Sequence, residues 1–500
     1  MNIREKIGQL FTPAAYIHDT EENIQAMEDL IQRYGIGGIT FFHSRHSAAA
    51  NFEQRQEKLS YEQTLEKLIG LINRYQSVSK TPLLISIDAE FGLAMRIEDT
   101  PHYPFAIAMG ALPIEKVNEV EAYGERIGRD LKAAGIHLNF APVADINTNP
   151  KNPVIGYRSF GPDREKVSAF ALATYRGMKK AGIAACYKHF PGHGDTAVDS
   201  HLGLPIIHKS KEALIKEELY PFAQGIASGI EMIMVGHLAV PALTNGLHTP
   251  ATISKDIITG LLREEMGFDG IVVSDALNMK AVAGMFEQPG QLELEAFHAG
   301  NDLLCFSEHV AAGIEAIAAE GDVEQIERSF PRIQQLKASL GLKKDKLTPV
   351  PTFNVEEIDS FNQGLARAYT HMIHQSSDLG TVQPSIGLSL GKPRKNVFTS
   401  DAGFPVLESF DALIPLLSPG VSIAVALFVP SAKPVNNFGL DLHELEKLGK
   451  LGQEYLLDLY LFGNPLCLPL IPTWENFRSI TVAYHDFEVN QWVVLERMKG

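Results

Sequence analysis

Short apolar runs recur along roughly the first 310 residues, at 36–42 (IGGITFF), 82–87 (PLLISI), 137–143 (HLNFAPV), 182–187 (GIAACY), 231–235 (EMIMV), 270–274 (GIVVS) and 302–306 (DLLCF). Each has the length of one buried strand and is too short for a packed helix. Between several of them the apolar period changes to that of a helix. Val117, Val120, Ile127 and Leu131 fall on one face of the stretch before Gly135, and Ser210 and Ser254 stand where helix N-caps belong. Strands alternating with helices predict parallel βαβ units, and seven or so units in about 300 residues suit a (β/α)8 TIM-like barrel better than the alternative, an open doubly wound sheet.

The alternation fades after Gly341, where LKKDKLTPVPTF is charged, proline-bearing and linker-like. Further apolar runs at 385–390, 421–428, 455–462 and 479–484, with helical stretches between, predict a smaller α/β sandwich. The expected organisation is therefore a barrel domain over 1–341, a linker over 342–354 and a C-terminal α/β sandwich domain over 355–500.

A barrel of this type carries its functional side chains at the carboxyl ends of its strands. Asp88 follows PLLISI, Asp145 follows HLNFAPV, Lys188 and His189 follow AACY, His237 follows IMVG, and Asp275 follows GIVVS. A lone Asp after a strand is ordinarily a turn former or helix cap. Polar groups at five equivalent strand ends point instead to a shared site.

With 500 residues, 45% hydrophobic and 21% charged, the chain reads as a two-domain globule with ample core. Its formal net charge of −16 opposes a nucleic-acid or anionic-membrane partner, since tracking phosphates needs a basic face. Cys186, Cys305 and Cys467 are too scattered for a disulfide framework or a zinc site. No apolar run approaches a membrane span, and MNIREKIGQLF lacks the apolar core of a signal peptide, so a cytoplasmic location is expected unless a signal has been removed.

The densest chemistry lies in residues 188–205, KHFPGHGDTAVDSHLGLP, which hold three histidines, two aspartates and a lysine in one turn-rich segment. Retaining hydrolysis of a glycosidic bond needs a carboxylate nucleophile and a second group that first donates and then removes a proton. Asp275 suits the first role. Asp199 and His201 suit the second, because a carboxylate bonded to one ring nitrogen leaves the other to exchange protons near neutral pH.

The same segment resembles the signature loop of bacterial β-N-acetylglucosaminidases of glycoside hydrolase family 3, the group associated with peptidoglycan recycling. VVSDALNM at 272–279 resembles that family's nucleophile motif, and NTNPKNPVIGYRSFG (147–161) and DAEFGLAMR (88–96) also agree. The resemblance runs from residue 3 to about 310. It implies Asp275 as nucleophile and His201 as acid/base, oriented by Asp199. It further implies Asp88, Arg96, Arg158, Lys188 and His189 as sugar-holding residues, with His237 at the pocket wall. The implied activity is exo-acting removal of a non-reducing terminal β-linked N-acetylglucosamine, with a small carbohydrate or muropeptide as substrate and neither cofactor nor metal.

Two departures stand out. Phe91-Gly92 replaces the family's paired glycine near Asp88, and the resemblance of LDLYLFGNPLCLP and ITVAYHDFEVNQ to the second domain stops soon after Gln491, as expected of a trimmed sandwich or a fragment. Three alternatives remain: a phosphorylase passing the glycosyl group to phosphate, a metal-dependent barrel hydrolase using His189, His193, Asp195 and His201, and a non-catalytic sugar-binding protein. The oligomeric state is left open.

Overall fold

The computed structural model describes residues 1–45, 62–196, 203–344, 346–376 and 382–499. The chain divides into two compact units. Met1–Tyr103, Ile114–Asn149 and Gly161–Phe353 make the first, and Pro104–Pro113, Pro150–Phe160 and Asn354–Gly500 the second.

The first unit contains β1 (Phe11–Thr12), β2 (Ala14–His18), β3 (Gly38–Ser44), β4 (Leu84–Ile87), β5 (Leu138–Asn139), β6 (Ala184–Ala185), β7 (Tyr187–Phe190), β8 (Met232–Val235), β9 (Ile271–Ser274) and β10 (Leu304–Cys305). Every pairing among them is parallel, in the orders β2-β3-β4-β5-β6, β7-β8-β9 and β1-β10. Parallel bridges Val143↔Lys188 and Val273↔Leu303 join these groups. β1 and β2 are one strand broken at Pro13, which has no N–H to give the ladder. Likewise β6 and β7 are one strand around Cys186, whose N–H turns to Ala141 O at 2.8 Å. Counted this way, eight strands close on themselves, and each is followed by helix: a (β/α)8 TIM-like barrel, not an open sheet.

Local chemistry sets the helix starts. Asp163 accepts from the N–H groups of Glu165 and Lys166 to open Arg164–Ala181, and Ser210 accepts from Ala213 to open Lys211–Lys216. The expected helix at Ser254 runs instead from Asp256 to Glu265 with π winding, while Ser254 Oγ accepts from Ile257 N at 3.4 Å. The barrel strands are buried except at Ala14 and His18 of β2 and Phe42 of β3, which are half-buried. Thr40 Oγ1 lies 2.8 Å from Ser86 Oγ and 3.7 Å from Cys305 Sγ, so small polar groups in the interior bond to one another. Cys186, Cys305 and Cys467 are buried free thiols.

In the second unit, β11 (His371–Gln375), β12 (Ile386–Leu390), β13 (Val406–Leu407), β14 (Ser422–Phe428), β15 (Leu456–Phe462) and β16 (Ser479–Val482) form one sheet in the order β11-β16-β15-β14-β12-β13. Only β11 runs antiparallel. With flanking helices such as Val355–Tyr369 and Glu488–Lys499 this is an α/β sandwich. The two segments taken from the barrel loops belong to its packing. Phe105 sits against Tyr157 and His485, with ring centroids 4.8 and 4.5 Å away, and a Cβ on Gly110 would fall 1.9 Å from Phe160 O. Among the described residues, no helix is long and apolar enough to cross a membrane.

Candidate active site

The βα turn after β4 supplies the first anchor. Asp88 and Glu90 both face Lys188, which stands in β7: Lys188 Nζ lies 2.6 Å from Asp88 Oδ1 and 2.7 Å from Glu90 Oε1. The lysine side chain is 2% exposed and that of Glu90 4%, whereas Asp88 keeps 26%, so Asp88 is the member open to a ligand. An ammonium held between two carboxylates is fixed in place, since removing any member would leave buried charge uncompensated. Arg96 closes the turn. Its Nε donates to Asp88 O at 3.1 Å and its guanidinium lies over the Phe42 ring, 4.0 Å from the centroid.

The second anchor is Asp145, completely buried beyond the end of β5. It accepts from His193 N at 2.7 Å and from His189 N at 3.2 Å, and its Oδ2 lies 2.7 Å from His189 Nδ1. A carboxylate can only accept, so Nδ1 of His189 carries the proton and the ring is locked by its own backbone partner. Burial pushes the Asp145 carboxyl up, yet His189 and His193 outweigh it and hold the group below the ordinary carboxylate range. Burial, then the neighbouring His189, push His193 down to about 4, so this ring is neutral at pH 7. The loop reaches Asp145 because Gly194 has no side chain: a Cβ there would lie 1.8 Å from Ile146 O. The peptide between Lys188 and His189 is cis.

Asp275 stands just past β9. Its N–H donates to Val235 O at 3.0 Å and its own Oδ1 accepts from Ala276 N at 2.8 Å. Burial alone would push this carboxyl up. His237, His189, the Ala276 N–H and Lys188 together more than offset it and hold the group at about 2. His237 is fully buried, with Nδ1 2.7 Å from Thr252 Oγ1 and Nε2 donating to Ala276 O at 2.8 Å. The arrangement therefore offers an ionised carboxylate, hydrogen-bonded and surrounded by imidazoles and an ammonium, at the mouth of a parallel barrel.

Of the residues expected from sequence, the structure brings Asp88, Arg96 and Lys188 into one contact group, and Asp275, His189 and His237 into one electrostatic group that also includes Lys188. Arg158 ends the turn Gly156–Arg158 in the second unit, where its Nη1 donates to Val154 O at 3.2 Å. Asp199 and His201 lie outside the described residues. Asp195, a ligand in the metal-hydrolase alternative, instead accepts from Thr148 at 3.1 Å and pairs with Lys209 at 3.1 Å. Asp145 was placed by sequence at a strand end of the shared site without a specific role, and Glu90 was given none; the signal for Glu90 was its place two residues after Asp88 in one turn.

The chain is similar to known proteins along most of its length. The profile described as Glycosyl hydrolase family 3 N terminal domain matches residues 2–336. The chain is similar to "Beta-hexosaminidase A" of Pseudoalteromonas piscicida, 33% identical over 72% of this chain and 58% of that protein. It is also similar to "Beta-N-acetylglucosaminidase/beta-glucosidase" of Cellulomonas fimi, 28% identical over 69% of this chain and 59% of that protein. It thus spans a little over half the length of these two relatives. Among solved structures, a glycoside hydrolase family 3 beta-N-acetylglucosaminidase from Paenibacillus sp. str. FPU-7 superposes with a TM-score of 0.79 at 28% identity, covering 100% of this chain and 97% of that one. With a family profile covering well over half of its length, this chain belongs to glycosyl hydrolase family 3.

Proposed function

We propose that the chain is a retaining, exo-acting β-N-acetylhexosaminidase that removes one non-reducing terminal β-linked N-acetylglucosamine, with peptidoglycan fragments as the substrate class. The observation that carries the reading is Asp275, held ionised at a strand end among His237, His189 and Lys188. In the first step the Asp275 carboxylate attacks the anomeric carbon, the glycosidic C–O bond breaks, and His201 gives its proton to the departing oxygen. In the second, His201 takes a proton from water as that water attacks the glycosyl ester, releasing the sugar with its configuration retained and freeing Asp275. Asp199 orients and charges-matches the His201 ring. Asp88 and the free Nε2 of His189, which accept from hydroxyls, and the donors of Arg96 and Lys188 hold the sugar. The names of the relatives, a β-hexosaminidase and a β-N-acetylglucosaminidase, support the choice of sugar.

The test is to trap the intermediate with a slowly released, activated fluoroglycoside of N-acetylglucosamine and to locate the label by peptide mass spectrometry. One glycosyl group on the peptide containing Asp275 is expected, together with turnover reduced at least about 10³-fold in Asp275→Ala. A label elsewhere, or an inverted product by NMR, overturns the mechanism. Formation of a sugar phosphate when phosphate is added identifies a phosphorylase instead.

A further inference from the structure

A second chemistry-bearing cluster lies in the first unit, outside the residues used above. His18 closes β2, His43 is the penultimate residue of β3, and Glu98 follows the turn that carries Arg96. β2 and β3 pair in parallel with His18 opposite Ser44, which brings the two imidazoles to a centroid separation of 5.0 Å. Glu98 Oε1 lies 2.7 Å from His43 Nε2. Thr64, at the start of the helix Thr64–Val78, donates to Glu98 Oε2 at 2.6 Å and lies 3.0 Å from His18 Nε2. Among the described residues, one ligand atom from each of His18, His43 and Glu98 lies within 4.8 Å of the other two.

We propose that His18, His43 and Glu98 form a binding site for a late first-row divalent cation, with Zn2+ the favoured ion. Two imidazole nitrogens and one carboxylate make a donor set suited to Zn2+ and its neighbours, and unsuited to Ca2+ or Mg2+, which take oxygen ligands. The side chains are partly withdrawn from water, 11% exposed for His43 and 33% for Glu98, so an ion would shed part of its hydration for fixed ligands. At present His43 Nε2 and Glu98 Oε1 face each other at 2.7 Å. On binding, the metal would lie between them, and any proton carried there would leave to solvent. Bonds of roughly 2.0–2.2 Å in tetrahedral geometry set ligand atoms about 3.4 Å apart, so His43 Nε2 and Glu98 Oε1 must open from their 2.7 Å separation while His18 closes on them, movements within reach of side-chain rotation. Lys67, whose charge reaches His18, opposes the cation. The ion would tie two barrel strands to the turn bearing Asp88, Glu90 and Arg96. Its role is to brace that turn and it takes no part in bond cleavage.

The test uses the whole chain, stripped with a chelator and titrated with Zn2+ by calorimetry and with Co2+ by visible absorption. One equivalent should bind and raise the melting temperature. His18→Gln and Glu98→Gln should each weaken binding at least about 100-fold, while Lys67→Gln tightens it. If His18→Gln melts early in chelator, Glu98→Gln, placed on a loop, decides the matter. His201→Ala is run in parallel because the 188–205 segment carries its own ligand-type residues, and it should keep the ion. Absence of zinc binding by the parent, or loss of the ion in His201→Ala with retention in His18→Gln and Glu98→Gln, overturns the site.

Discussion

Asp145→Asn is the most informative single change, because it alters charge and donor pattern at nearly constant shape. The carboxylate accepts from His193 N at 2.7 Å, from His189 N at 3.2 Å and from the His189 ring at 2.7 Å. An amide of the same outline keeps one accepting oxygen. Placed toward the His193 N–H, that oxygen leaves the NH2 facing His189 Nδ1, which must then give up its proton and accept. The tautomer of His189 inverts, and Nε2 becomes the protonated nitrogen on the side away from Asp145. A hydrogen bond to a charged group contributes about 1.5–3 kcal/mol, so losing one or two of them should lower unfolding free energy by about 3 kcal/mol, read as a shift of the urea midpoint. Turnover of an aryl β-N-acetylglucosaminide should fall by a comparable factor, about 10²-fold in kcat/KM, since about 1.4 kcal/mol is tenfold. Nitrogen-15 spectra of the histidine rings should show the proton moved from Nδ1 to Nε2 of His189. The reasoning is refuted if Asp145→Asn keeps kcat/KM within threefold of the parent with His189 still protonated on Nδ1.

Lys188→Met should destabilise the fold by about 3 kcal/mol, the low end of the range for breaking a buried pair because Asp88 is partly exposed, and adding Glu90→Gln should restore roughly half; equal midpoints for the single and double variants would sink the three-charge account. His201→Ala should slow glycosides with poor leaving groups far more than activated aryl glycosides, which need little proton donation. Equal losses on both classes would make His201 a positioning residue. Lys337 offers a test of linkage: burial pushes its ammonium down to about 7, while its Nζ still donates to Gln9 at 2.8 Å. A base whose folded value is depressed destabilises the fold fully below that value, and the penalty vanishes as pH rises through its unfolded value near 10.4. Lys337→Met should therefore raise the melting temperature more at pH 6 than at pH 9. A pH-independent difference would contradict the burial argument.

Much of the barrel was legible because a buried parallel strand is an unbroken apolar run, and because Asp88, Lys188, His237 and Asp275 sit directly at the ends of such runs. The same rule misjudged β7. Lys188 and His189 read as loop since they are polar, yet they belong to the strand, their polar groups met by Asp88, Glu90 and Asp145. Glu90 escaped, and Asp145 was located at a strand end without its partners, because a buried carboxylate's partner has no sequence period of its own and is defined only when distant segments meet. Arg158 was expected to lie in the barrel domain. No composition shift marks the turns 104–113 and 150–160 as members of the second unit, so their grouping is visible only in space.

Those two turns also bear on how the chain is built in time. The second unit draws on three stretches of sequence, Pro104–Pro113, Pro150–Phe160 and Asn354–Gly500, so its contacts join residues hundreds of positions apart. Such contacts form slowly because large loops must close first. During synthesis Phe105 and Tyr157 emerge long before His485, the ring that Phe105 packs against. The unit cannot mature in order of appearance on the ribosome, and these aromatic turns must wait, unpaired with His485, until about 330 further residues after Tyr157 have been made.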